Sequence, residues 1–354
     1  CFFLLRKESK EKTECFPVDR ISLIYWEELL FFLAFLMWTY LAGFRPAAYG
    51  TEKFMDYGFM EAMMRSTTLP ARDLWYSEGH INYYYGGQYF AVFLTKLSHT
   101  KVELTYNLMR TFVAGLAFAM PFSLVYQMMS DRMKGLQKSE KVIKGLPFAA
   151  GFTAGTAVSI AGNMHYVIYA QIIPLIEKLT GKEVSSYWFP DATRYIGYNP
   201  YREEDRTIHE FPCYSFVLGD LHAHVVNIMF VLLVIALLYV WLRGVRKKTV
   251  PVETSMKDGK FWKEQLLMPH LLVISALLGM FQWTNFWDFV IYYVVTLGTV
   301  LFANIIRFQG KIKKIIVVTF AQMAEIYLLA YLVILPFTLQ FDTMVDGIGI
   351  AKYH

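Results

Sequence analysis

Apolar positions along this chain come in long blocks separated by short, charged stretches. The blocks fall at 21–43, 105–129, 146–166, 222–242, 266–284, 288–306 and 315–337. About 20 helical residues cross a hydrocarbon core of roughly 30 Å, and backbone polar groups in lipid must be satisfied within the spanning element. The pattern therefore predicts seven transmembrane helices. One further apolar stretch, 83–98, is shorter and carries Gly86, Gly87 and Lys96. As a helix it reaches only about 24 Å. It is read as a helix lying in or dipping into the membrane interface.

The basic residues orient the blocks. Lys and Arg concentrate in 1–20, 130–145, 243–263 and 306–314, which hold five, five, seven and four of them. With these four loops cytoplasmic, the seven helices alternate correctly and the positive-inside rule is obeyed. Counting 83–98 as a crossing would instead place 16 basic loop residues outside. The long loops 44–104 and 167–221 are then external.

Composition agrees with a membrane protein. The chain has 354 residues, 56% hydrophobic and 18% charged, with a mean hydropathy of +0.35. Soluble domains are nearer a quarter charged, so most soluble enzymes, disordered chains and disulfide scaffolds are excluded. The net charge of +5 follows from the clustered basic loops, which is a topology signal and not a nucleic-acid footprint. The three cysteines, Cys1, Cys15 and Cys213, have no metal-site spacing. The expected fold is a single all-α polytopic membrane domain over 1–354 in the cell membrane. Its first apolar residues and its featureless last ones read as a fragment truncated at both ends.

This orientation sorts the chemistry. Seven of the eight histidines (80, 99, 165, 209, 222, 224 and 354) fall outside or at the outer rim, and only His270 lies toward the inside. Titratable groups gathered on one face point to a site there. Glu52 and Asp56 are four apart and share a face if helical, so that one carboxylate raises the pKa of the other and suits it as a general base. The alternative is a solvated helix start with Thr51 as cap. Tyr83, Tyr84 and Tyr85 suit stacking on a sugar or an interfacial aromatic belt. Arg194 suits a phosphate, or an ion pair with Asp191 at i,i+3. In His209-Glu-Phe-Pro-Cys-Tyr-Ser-Phe-Val-Leu-Gly-Asp-Leu-His-Ala-His224, Asp220 and His224 share a face if the helix begins early, with His222 on another. That helix N-terminus suits a phosphate. The H-x-H with nearby acids leaves a divalent metal open, and Asp220 as a simple cap is the plainer alternative. Asn285 and Asp288 sit between two spans, with Asp288 expected to cap the next helix. Glu27 and Glu28 lie inside the first span, one expected to snorkel and one to face the bundle.

Several of these stretches occur together and in order: Glu52-Lys-Phe-Met-Asp56, Asp73-Leu-Trp75, Ile81-Asn-Tyr-Tyr-Tyr85, Asp191-Ala-Thr-Arg194, Glu210-Phe-Pro212, Gly219-Asp-Leu-His-Ala-His224 and Asn285-Phe-Trp-Asp288. In them the chain resembles the bacterial and archaeal "YYY" multi-pass membrane proteins, a family of unassigned function named for its tyrosine triplet. The likeness runs over about residues 20–345. The layout is in turn similar to that of the GT-C integral-membrane glycosyltransferases, with an acid in the first outer loop, non-spanning helices in that loop and a site at the outer face.

That resemblance implies transfer of a sugar from a polyprenyl-phosphate donor to an unknown acceptor at the outer membrane surface. It makes Asp56 the general base, with Glu52 setting its pKa. Arg194 with His222 or His224 would stabilise the leaving phosphate, and Tyr83, Tyr84 and Tyr85 would stack on the sugar. His209, Glu210, Asp220, Asn285 and Asp288 complete the expected binding set. No cofactor is fixed by this reading, and a divalent metal is left open. Membrane lipid is the other expected partner, and nucleic acid is not. Two alternatives stand beside it: a non-catalytic module that binds or moves a lipid-linked glycan, and an ion-coupled carrier working through Glu27 and Glu28.

Overall fold

The computed structural model describes residues 18–50, 52–134, 140–196, 198, 201, 206–247 and 255–343. All regular elements among them are helical, and strand pairing is confined to isolated bridges such as Arg72 with His80. Five helices are long and apolar enough to cross a membrane: Ile21–Gly43, Val102–Met133, Ala223–Arg246, Phe286–Phe308 and Ile312–Thr338. A sixth crossing arises if Gly259–Leu266 and Pro269–Thr284, bent by 51°, count as one broken span. The expected span over 146–166 is a helix, Glu140–Ser159, that ends early and is not among those of span length and hydropathy. The stretch 83–98 folds as a helix over Gly86–Leu97. At 12 residues it reaches about 18 Å, too short to cross.

The chain divides into two compact units, Cys1–Arg45 with Ala114–Leu218, and Pro46–Val113 with Gly219–His354. The first unit contains α1 (Val18–Gly43), the second half of α4 (Val102–Met133) and α5 (Glu140–Ser159). It also holds the short helices α6 (Ile173–Leu179) and α7 (Pro212–Leu218). Leu30, Ala34, Phe118 and Phe122 form its core. Gly151 and Gly155 sit one turn apart, and a Cβ on either would come within 2.7 Å of the Phe122 or Phe118 carbonyl oxygen. Small residues at this spacing let two helix backbones touch, which is how helices associate where lipid removes the hydrophobic drive. The Trp38 indole N–H donates to Ser159 Oγ at 3.0 Å, and that hydroxyl donates to the Ala114 carbonyl at 2.8 Å. Within α1, Glu27 is half-buried and Glu28 exposed.

The second unit contains α2 (Lys53–Arg65), α3 (Gly86–Leu97) and the start of α4. After them come α8 (Ala223–Lys247), α9 (Gly259–Leu266), α10 (Pro269–Thr284), α11 (Phe286–Phe308) and α12 (Ile312–Thr338). Buried residues recur at helical spacing: Val234, Leu238, Trp241 and Val245 on α8; Leu271, Ile274, Leu278 and Phe281 on α10; Met323, Ile326 and Ala330 on α12. Each set is one stripe, and the stripes face one another. The break between α9 and α10 has a local cause. Pro269 disfavours helical geometry in the residue before it, and Met268 is extended at φ −80°, ψ 120°. The carbonyl of Gln265, freed near this break, accepts from Gln322 Nε2 at 2.9 Å.

Candidate functional site

The site begins at a glycine. Gly219 has φ +77°, a conformation that disfavours any Cβ, and a side chain there would collide with the Arg110 guanidinium. Arg110 and the Tyr106 hydroxyl, both buried on α4, donate to the Gly219 carbonyl at 3.3 and 3.4 Å. The turn that follows is thereby fixed. The amides of Val225 and Val226 bond back to the His222 carbonyl, so α8 starts immediately after this residue. Asp220 therefore precedes the helix. The expected i,i+4 face of Asp220 and His224 does not form, and Asp220 Oδ1 instead lies 2.6 Å from His222 Nδ1. His222 is buried and His224 exposed.

Helix α2 brings the first-loop acids to the same point. Glu52 is its N-cap residue, without a side-chain cap bond, and Asp56 lies one turn on. Thr51, the alternative cap, lies outside the described residues. Asp56 Oδ2 is 3.0 Å from His222 Nδ1, and the Glu52 carboxylate meets the other ring nitrogen, Nε2, in a short contact. Three carboxylates thus surround one imidazole. Their exposures differ sharply: the side chain of Asp56 is 0% exposed and that of Glu52 is 68%.

Helix α3 brings one more side chain to the site. A Cβ on Gly86 or Gly87 would strike Trp283 or Val226, so the glycine pair lets α3 lie directly on α8 and α10. That approach delivers Gln88, whose Nε2 donates to Asp56 Oδ1 at 2.8 Å and to the Leu221 carbonyl at 3.0 Å. Asp56 Oδ2 receives no hydrogen bond. One ring nitrogen carries one hydrogen, and the shorter contact to Asp220 takes it; the 3.0 Å approach of Asp56 is a charge contact without a donated proton.

The electrostatics follow from burial and from this crowding. Burial raises the pKa of Asp56 above its ordinary value, against the pull of His222. Burial also pushes Asp220 upward, but hydrogen bonding to His222 and the imidazole charge outweigh it and hold Asp220 low. For His222, burial favours the neutral ring. Contact with Asp220 and Asp56 overrides this and pushes its pKa up to about 12. The Tyr83 ring packs against Phe59 near the cluster, and burial raises its hydroxyl. Asp56, Asp220 and His222 each offer one donor atom, all within 4.8 Å of one another, so these three could hold a metal ion.

The other expected residues have different surroundings. Tyr84 packs on Phe341, and Tyr85 is buried with its ring edge-on to Trp283 and against Phe337. Asn285 is the residue that N-caps α11, and Asp288 lies in its first turn, contrary to the expected cap. Asp288 Oδ2 accepts from Asn227 Nδ2 at 2.6 Å and from Asn285 Nδ2 at 2.8 Å. Arg194, His209 and Glu210 belong to the first unit. Arg194 donates to the Pro190 carbonyl at 3.0 Å and lies over the Trp188 ring, so the ion pair with Asp191 is not made. His209 stacks on Tyr195, and Glu210 is exposed. A cavity of about 550 Å³ opens at the far end of α2, lined by Arg65, Arg72, Asp73 and His80 among others, and includes no member of the carboxylate–imidazole cluster.

Neither spacing nor charge marks Gln88 and Tyr106 in the sequence. Arg110 did carry a signal, since an arginine inside an apolar span is itself a mark of function or of a fixed partner. No curated protein and no solved structure matches the chain. The sequence does match, over residues 1–354, the model of a family described as "Uncharacterized membrane protein (DUF2298)", and the chain belongs to that family of multi-pass membrane proteins.

Proposed function

We propose that this protein is a GT-C-like glycosyltransferase that moves a sugar from a polyprenyl-phosphate donor to an acceptor hydroxyl at the outer membrane face. The observation that carries the reading is the buried Asp56–His222–Asp220 cluster with Glu52 at its mouth. Buried charge of this density is costly and is retained where chemistry needs it. In the reaction, the bond from the sugar's anomeric carbon to the phosphate oxygen breaks and a bond to the acceptor oxygen forms. The electron pair leaves with the polyprenyl phosphate, and the acceptor's proton goes to a carboxylate. We assign that proton to Glu52, because Glu52 is exposed and Asp56 is not. Asp56 then acts on the imidazole and not on the acceptor, the reverse of the roles the resemblance implies.

The reading includes a topology. Five spans, the broken span and α5 make seven crossings, with the basic loops cytoplasmic. The 20 residues of α5 reach about 30 Å, and its glycine stripe gives it a packing face. The half-buried rings of Tyr83 and Tyr84 offer a sugar a stacking surface beside the cluster.

Membranes holding the full-length protein should transfer label from polyprenyl-phosphate hexose, and Glu52→Gln should lower the rate by roughly 100-fold or more. Undiminished transfer in Glu52→Gln overturns its role. Glycolipid binding without turnover in the unsubstituted protein overturns the enzyme and favours the non-catalytic module.

A further inference from the structure

Asp56 Oδ2 is the anomaly of the site. It is fully buried, is held in place by the Gln88 bond to its sister oxygen, and accepts no hydrogen bond. It points at His222 Nδ1 from 3.0 Å, while Asp220 Oδ1 approaches the same nitrogen from 2.6 Å. A single N–H cannot serve two carboxylates. A cation in place of that hydrogen serves both, and the nitrogen as well. An octahedral ion with bonds of about 2.1 Å sets neighbouring donors about 3.0 Å apart; here the two oxygens lie 2.6 and 3.0 Å from the nitrogen, and all three donors lie within 4.8 Å of one another. The opposite ring nitrogen is held by the Glu52 carboxylate. A carboxylate on Nε2–H leaves the Nδ1 lone pair turned inward, which is how proteins orient a ligating histidine. The Gly219 turn, clamped by Arg110 and Tyr106, fixes the Asp220 and His222 backbone beforehand.

We propose that Asp56 Oδ2, Asp220 Oδ1 and His222 Nδ1 form a divalent-cation site, in which Glu52, through the oxygen that meets Nε2, also sets the imidazole tautomer. Two carboxylates and one imidazole match Mn²⁺ best, since the oxygens suit hard ions and the nitrogen shifts the preference toward a transition metal. Three protein donors leave coordination positions open. An anionic oxygen such as that of a phosphate would fill one; this use rests on the sugar-transfer reading, whereas the site itself does not.

The test is an Mn²⁺ titration of the purified full-length protein, stripped of metal with a chelator and followed by electron paramagnetic resonance. One ion per chain is expected, with nitrogen coupling from a directly bound imidazole. Asp220→Asn and His222→Ala should each weaken binding by about 100-fold or more, and Glu52→Gln by roughly 10- to 100-fold. Asp73→Asn, in the cavity at the far end of α2, should bind as the unsubstituted protein does. Absence of bound Mn²⁺, Mg²⁺ and Zn²⁺ at about 1 mM overturns the proposal, as does Mn²⁺ bound without nitrogen coupling. The coupling is read on the unsubstituted protein, so a His222 variant that fails to fold does not protect the idea. Cation binding without sugar transfer upholds the site and overturns the transfer reading; transfer that survives complete metal removal upholds the enzyme and overturns the ion's use in it.

Discussion

Two of the polar clusters in the second unit are built on opposite plans. Where α9 and α10 break, Asn304 Nδ2 donates to Thr319 Oγ1 at 3.0 Å and to Gln322 Oε1 at 2.8 Å. Arg307 donates to Asn304 Oδ1 at 3.1 Å and to Gln265 Oε1 at 2.5 Å, and Gln322 reaches the Gln265 carbonyl. Neutral amides dominate, donors match acceptors, and each amide side chain has partners. Around His222 the stock is three carboxylates and one imidazole, with an orphaned oxygen on Asp56 and another on Gln88. A network that satisfies itself joins helices. A cluster that leaves a buried carboxylate oxygen without a hydrogen bond is shaped for something it must still receive. Asp56 is as deeply buried as Asn304 and Gln322, so burial alone does not distinguish structure from function; the balance of donors and acceptors does.

The strongest way to break this contrast is to remove the imidazole. His222→Ala leaves Asp56 and Asp220 buried without a counter-charge, and breaking a buried pair from one side costs about 3–5 kcal/mol. Chemical denaturation in detergent should register a loss of that size in metal-free protein. A loss near zero would mean the carboxylates are solvated or protonated, and the contrast would fail.

The same histidine makes a prediction in pH. Its folded pKa of about 12 lies above the ordinary 6.5. Such a group stabilises the fold in full below pH 6.5, and that contribution falls as pH rises toward the folded value. Between pH 7 and 9 the metal-free protein should lose up to about 1.4 kcal/mol per pH unit, and His222→Gln should remove this slope. Equal slopes in the two proteins would show that no charged imidazole is stabilised there.

At the other cluster, Asn304→Ala should cost about 1–3 kcal/mol by stranding Arg307, Gln322 and Thr319. Mn²⁺ binding at the His222 cluster should be untouched. A change in binding would show that the two clusters are one coupled network, and the division drawn between them would fall.

The parts of this picture that the sequence exposed are those with a period or a charge. The apolar blocks marked helices that the structure forms over 21–43, 105–129, 288–306 and 315–337, and the four-residue step from Glu52, the N-cap residue of α2, to Asp56 brings both acids to His222. What it concealed depends on where elements meet. Asp220 pairs with His222 and not His224 because α8 begins at Ala223, and that boundary is set by the Gly219 turn seated on Arg110, far away in sequence. Gln88 reads as one polar residue in an apolar stretch until Gly86 and Gly87 let α3 lie on α8 and α10. The block at 146–166 hid its early end because Gly, Ala and Thr are apolar enough to prolong a run without specifying a span. The amides at the helix break were invisible for a similar reason: single Asn and Gln residues within spans carry no charge and no spacing.

The smallest effect tests the group that lies between the two plans. Asp288 is charged, like the His222 cluster, yet satisfied, like the amide network: one of its oxygens accepts from both Asn227 and Asn285, and Thr284 Oγ1 completes the set by donating to Asn227 Oδ1 at 2.7 Å. An asparagine at 288 can present its single carbonyl oxygen to the same two donors. If Asp288 serves the structure, Asp288→Asn should cost under about 1 kcal/mol, the difference between a charged and a neutral acceptor, and leave sugar transfer unchanged. If it serves the substrate, stability should hold while the KM for the lipid-linked sugar rises. The donor balance around Asp288 favours the first outcome. A raised KM would show that a satisfied acid can also bind substrate, and that an orphaned oxygen is not a necessary mark of this site.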